Sequence, residues 1–132
     1  MGLKALACAS TGIAAELLIG GATAHRRFGI PNTVKTGDIP KIDRHSSFAS
    51  VLDAAQLLII DEVSMQDRAV IEYIDRVLRI ISTDHEDLPF GGKVVVLGGD
   101  WKQLMPVIPG KGSDVQYAFS VKNSSLFRYF FI

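Results

Sequence analysis

The chain has 132 residues, of which 48% are apolar and 21% charged, a balance that suits one soluble α/β domain with a real core and excludes a disordered segment. Its formal net charge of zero excludes a general electrostatic pull on nucleic acid, so any such contact must be local. The longest apolar runs, such as Leu57 to Ile60 and Val94 to Leu97, fall far short of the roughly 20 residues that cross a bilayer, and no membrane partner is expected.

Leu3 to Ala9 reads as a buried strand feeding the turn Ser10-Thr11-Gly12. Lys4 is followed by too few apolar residues for a signal peptide, which fits a cytosolic or nuclear setting. Cys8, the single cysteine, sits in this apolar run and reads as a buried structural thiol. A helix is predicted next, with Ile13, Ala14, Leu17 and Leu18 at helical spacing, Ser10 or Thr11 as cap, and Gly20-Gly21 as its end. Thr23 to Arg44 is broken by Pro31, Gly37 and Pro40 and reads as an irregular excursion. It is also the one basic stretch, in which Arg26, Arg27, Lys35, Lys41 and Arg44 face only Asp38 and Asp43, with His25 and His45 beside them. Arg26 and Arg27 read most simply as solvated loop residues.

Ser46 to Ala55 predicts a short helix, and Gln56 to Ile60 a second buried strand that runs into Asp61-Glu62. A long amphipathic helix follows, with Val70, Ile71, Ile74, Val77, Leu78 and Ile81 on one face. Ser64 with Asp67 is its expected capping box, and Glu72 with Arg76 and Asp75 with Arg79 are expected i,i+4 pairs on the opposite face. Lys93 to Leu97 is a third β-branched strand, ending in Gly98-Gly99-Asp100, and Asn123 to Ile132 is expected to be a last helix. Strands alternating with helices predict a parallel sheet with helices on both faces. In such sheets sites gather at the carboxyl ends of the strands, where Ser10-Thr11-Gly12, Asp61-Glu62 and Gly99 to Gln103 fall, so one shared site is expected.

An apolar strand ending in Asp-Glu suits nucleotide triphosphate hydrolysis, with the first acid on Mg²⁺ and the second polarising the attacking water. Those roles fall to Asp61 and Glu62, and Gln103 is the kind of neutral side chain that orients a water or senses a terminal phosphate.

Ala9 to Ala15, Gly21 to His25, Ile60 to Met65 and Gly99 to Val107 together resemble consecutive helicase motifs Ia, II and III. Their order and spacing are similar to the Pif-one family of superfamily-one DNA helicases, particularly the helicase part of Helitron transposons, over nearly the whole chain. The resemblance implies a RecA-like P-loop NTPase domain, with Asp61 on Mg²⁺, Asp61 and Asp100 on the ATP side, Glu62 as catalytic base, and Gln103 coupling nucleotide to DNA. It places Ser10, Thr11, Gly12 and His25 on single-stranded DNA, although helix capping explains Ser10 and Thr11 equally well. By the same resemblance the activity is ATP-driven 5′-to-3′ unwinding at duplex junctions, the setting is nuclear, and nothing points to an oligomer. Replication, repair, recombination, telomere upkeep and transposition would all use such a motor.

Two departures stand out. Arg26 occupies the position where the family pattern has Ser, which removes one expected hydroxyl contact to DNA. No G-x-x-x-x-G-K-[ST] phosphate loop occurs in the 132 residues. The resemblance therefore implies one partial first motor domain over residues 1–132, with the loop unit and the second motor domain outside it and hydrolysis not expected from this chain by itself. It also implies that Lys93 to Leu97 is a bare sheet edge and that stability is marginal. A binding module for single strands, or an inert transposon remnant, are the alternatives.

Overall fold

A computed structural model describes residues 3–100 and 120–130. Among these residues four parallel strands, β1 (Ala5–Ala9), β2 (Ala22–Thr23), β3 (Leu57–Asp61) and β4 (Val94–Leu97), form one sheet in the order β2-β1-β3-β4. The fold is α/β, as expected, and β4 has a strand neighbour on one side only among the described residues. Cys8 pairs with Ala22 and Ile60, and Ile60 with Leu97, so equivalent residues line up across the sheet.

Alternation of side chains then divides the sheet into two faces. Leu6, Cys8, Leu58, Ile60, Val95 and Leu97 share the face that packs on the main core. That core is supplied chiefly by α4 (Arg68–Ile81), whose Val70, Ile71, Ile74, Val77, Leu78 and Ile81 are all buried, together with α3 (Ser47–Ala54) and α2 (Ala24–Phe28). The other face is covered by α1 (Gly12–Glu16), whose Ala14 and Ala15 pack with Ala9 and Leu18 in a second small cluster. On that face Val94 and Val96 stay 62% and 49% exposed, so the edge strand presents apolar surface to solvent.

Several local expectations are corrected. The first helix stops at Glu16, and its large apolar residues Ile13 and Leu17 are exposed while the small Ala14 and Ala15 are buried. Tight i−3 bonds from Leu17 and Leu18 wind the chain down to Gly21, where any Cβ would lie 2.4 Å from the Ala15 carbonyl oxygen. The stretch after Thr23 is not wholly irregular, because Thr23 caps α2 through Arg26 N and Gly29, at φ 64, closes it. With two and five residues, β2 and α2 are too short to show a period.

Asp67, not Ser64, caps α4, accepting from Ala69 N at 2.8 Å, while Ser64 lies in a 3-10 turn, Val63–Met65. The Glu72 with Arg76 pair gives way to an Arg76 bond to the Asp38 carbonyl, at 3.3 Å. Asp75 does pair with Arg79, at 3.0 Å, but it is buried rather than solvent-facing and also accepts from Phe90 N at 2.6 Å. The tail forms two 3-10 turns, Val121–Asn123 and Ser125–Tyr129, because Ser120 and Ser124 each cap a new turn before an α-helix can propagate. Lys93 precedes its strand, and its ammonium donates to the carbonyls of Asp53 and Ala55 at 2.7 and 2.8 Å, tying the end of α3 to β4. Burial lowers its pKa below the ordinary lysine value, against the opposing pull of Asp53.

Candidate functional site

The parallel register brings the predicted clusters together. Ala9 pairs with Asp61 and Ile60 with Leu97, so Ser10, Glu62 and Gly98 each lie just beyond a strand end. Thr23 pairs with Ala9 and delivers α2, with half-buried His25, to the same edge of the sheet.

Asp61 ends β3, and its Oδ1 accepts from the backbone N–H of Glu62 at 2.8 Å. Gly98 packs directly on this carboxylate, since a Cβ at position 98 would lie 2.7 Å from Asp61 Oδ1. Gly98 also fixes the chain on both sides of the acid pair: its N–H donates to the Ile60 carbonyl and its carbonyl accepts from Val63 N, both at 2.9 Å.

Glu62 adopts the left-handed backbone conformation, φ 56 and ψ 37, which is uncommon for a residue with a side chain. This sharp turn at the strand end directs its carboxylate toward β1. There Thr11 Oγ1 donates to Glu62 Oε2 at 3.2 Å and Ser10 Oγ donates to the same oxygen at 3.4 Å. Thr11 simultaneously caps α1, its oxygen accepting from Ala14 N at 3.3 Å. Helix capping and a second task thus coexist in one hydroxyl. Gly12 opens α1 in open space, with nothing within 4 Å of where a Cβ would be. Asp100 is exposed and follows Gly99 at the β4 end of the site, whereas Gln103 lies outside the described residues.

Sequence patterns missed three features. Ser64, read as a helix cap, has a buried hydroxyl with no hydrogen-bond partner and packs on Gly99. Arg27, read as solvated, donates to the Ala7 and Gly20 carbonyls and so clamps the turn after α1 to β1. Arg44 likewise donates to the Ser82 carbonyl at 3.1 Å, which holds its guanidinium against the fold with its charge intact. Cys8 is buried beside the site, and burial pushes its thiol up to about 12 despite the opposing field of Arg27, making it an inert core residue.

The chain is similar to known proteins in sequence and in fold. The model of the PIF1-like helicase family matches residues 2–132. The ATP-dependent DNA helicase RRM3 of Saccharomyces cerevisiae is 41% identical over 101 residues, which are 75% of this chain and 14% of that protein. The ATP-dependent DNA helicase PIF1 of Saccharomyces cerevisiae is 34% identical over 116 residues, 86% of this chain and 13% of its own length. The chain therefore spans about a seventh of the length of these curated relatives. A Pif1 helicase from Bacteroides, solved in complex with ADP-AlF3 and single-stranded DNA, superposes with a TM-score of 0.78 at 34% identity, covering 96% of this chain and 30% of that one. The family match spans nearly the whole chain and the solved relative superposes over almost all of it, so the chain belongs to the PIF1-like helicase family.

Proposed function

We propose that residues 1–132 form part of the first RecA-like motor domain of an ATP-dependent DNA helicase that moves 5′ to 3′ on single strands and opens duplex junctions. The observation that carries this reading is the acid pair at the end of β3, with Gly98 packed on Asp61 and Glu62 turned toward the β1 hydroxyls. In this reading Glu62 takes the proton of the attacking water, Gln103 and Asp100 face the nucleotide, and Ser10, Thr11, Gly12 and His25 face the strand. Asp61 is suited to hold Mg²⁺, since that ion takes one or two carboxylates, substrate phosphates and water rather than an all-protein cage. When bound, the ion would neutralise charge developing on the transferred phosphate. Backbone amides and short hydroxyls suit positioning of phosphates without reading sequence. The DNA work of the named relatives supports a nuclear setting.

A second reading, single-strand binding without hydrolysis, draws on the basic stretch around half-buried His25, in which Arg26 is exposed. The two are separated by ATP turnover with Mg²⁺, with and without single-stranded DNA, beside Glu62→Gln, in a longer protein that joins residues 1–132 to a phosphate loop. DNA-stimulated turnover that Glu62→Gln abolishes supports the motor, salt-sensitive DNA binding without turnover supports the binding module, and neither sinks both.

A further inference from the structure

The contact between β1 and Glu62 is chemically one-sided. A carboxylate only accepts hydrogen bonds, and each hydroxyl carries a single hydrogen. Ser10 and Thr11 both direct theirs to Glu62 Oε2, at 3.4 and 3.2 Å. Thr11 also accepts from Ala14 N, at 3.3 Å, through a lone pair, which leaves its single hydrogen for Glu62. The carboxylate is held in reach by the left-handed turn at Glu62, which is fixed in turn by the bonds of its N–H to Asp61 Oδ1 and of Val63 N to the Gly98 carbonyl.

We infer that Ser10 and Thr11 are positioning residues for Glu62, and that the phosphate of a bound single strand takes over their hydroxyl hydrogens and releases the carboxylate toward the nucleotide side. The inference rests on the reading above, in which Thr11 meets DNA and Glu62 acts on water. A phosphodiester oxygen, like a carboxylate, accepts without offering a hydrogen, so the two compete for the same O–H groups. Strand binding and the Glu62 tether are therefore alternatives. The base is restrained when no strand is present and freed when one arrives, which makes turnover depend on DNA. Linkage makes the coupling reciprocal, so loosening the tether tightens strand binding.

The test uses the full 132-residue chain, the carboxyl ¹³C resonance of Glu62, and an oligothymidylate at low salt. In the free chain Ser10→Ala and Thr11→Val are each expected to move that resonance, and Thr11→Ser to leave it in place. Adding the oligonucleotide to the unsubstituted chain is expected to move it in the same direction as Ser10→Ala. Glu62→Ala is expected to tighten oligonucleotide binding about 5-fold, the low end of coupling between sites, with most of that gain gone when Ser10 and Thr11 are already Ala and Val. Equal tightening in both backgrounds reflects only the removed charge and overturns the inference, as does DNA binding that leaves the resonance still. If no oligonucleotide binds, the DNA reading falls and the release with it, while the free-chain resonances still decide whether Ser10 and Thr11 position Glu62. Thr11→Val also removes the cap of α1, so Ser10→Ala alone carries the comparison if the double variant does not fold.

Discussion

Replacing Asp75 by Ala tests whether the site is positioned from behind. Asp75 is 7% exposed on α4, and it accepts from Phe90 N at 2.6 Å and from Arg79 Nε at 3.0 Å. The bond to Phe90 holds the turn Pro89–Gly92, which leads into β4, against the helix. Phe90 and Gly91 take φ 54 and 61 there, and a Cβ at Gly91 would lie 2.6 Å from the Leu78 carbonyl, so the turn has little freedom. Orphaning the buried Phe90 N–H costs about 2 kcal/mol. Losing the ion pair adds only about 0.5 kcal/mol, because the Arg79 side chain is 30% exposed and also donates to the Asp87 carbonyl. Alanine returns about 0.5 kcal/mol of helix propensity, which leaves a net loss of about 2 kcal/mol. With a urea slope of about 1.5 kcal/mol per molar, the unfolding midpoint drops by about 1.3 M. Asp75→Asn keeps an oxygen for Phe90 N and is expected to lose about half as much. A midpoint shift for Asp75→Ala within experimental scatter, or equal shifts for both variants, would refute the argument that the Phe90 bond dominates.

Three further outcomes follow from the structure. Gly98→Ala drives a methyl group onto Asp61 Oδ1 and is expected to destabilise the chain by about 1–3 kcal/mol, most of which Asp61→Gly restores in a double-mutant cycle read by urea unfolding. Asp67→Ala removes the α4 cap and is expected to lose about 1 kcal/mol, whereas Ser64→Ala deletes a buried hydroxyl without a partner and is expected to be neutral or slightly stabilising by thermal melting. The Cys8 thiol titrates at about 12 in the fold against an ordinary 9.0, so the unfolded chain releases its proton first; stability is complete below pH 9 and falls as pH climbs toward 12. About 2 kcal/mol is lost by pH 10.5, and Cys8→Ala should flatten that slope. Lys93 works in the opposite direction, adding stability as pH rises toward its unfolded value, so wild type and Cys8→Ala must be compared in the same buffers.

The three long strands were legible because each is a run of apolar residues closed by a hydroxyl turn, an acid or Gly, and α4 because six of its buried apolar residues recur at helical spacing. The acid pair was legible for the same reason, as charge abruptly ending an apolar strand. Elements of two and five residues, β2 and α2, left too few turns for a period to emerge, so they depended on caps such as Thr23 and Gly29 that many loops also carry. Ser64 and Asp67 both satisfied the composition of a cap, and only the extended backbone of Asp67 selected it. Arg27 and Asp75 were misjudged alike: a charged side chain looks solvated in sequence, while its fate depends on carbonyls or N–H groups many positions away, at Ala7 and Gly20 or at Phe90.

The site owes its shape to one row of the sheet. Thr23, Ala9 and Asp61 are register partners, and Gly98 continues the row beside Asp61 because Ile60 and Leu97 pair just before it. In parallel strands such partners point to the same face, so Asp61 has a methyl group on one side and no side chain on the other. Ala9 is fully buried under Ala14 and Ala15 and has no room to grow, and Gly98 already touches the carboxylate. Asp61 therefore has its freedom only along the strand axis, past the end of the sheet, where its own oxygen fastens the Glu62 N–H and sets the left-handed turn that sends Glu62 to Ser10 and Thr11. Small residues beside a strand-ending acid thus act as part of the site, since enlarging either one moves the carboxylate, the turn and the contact with β1 together.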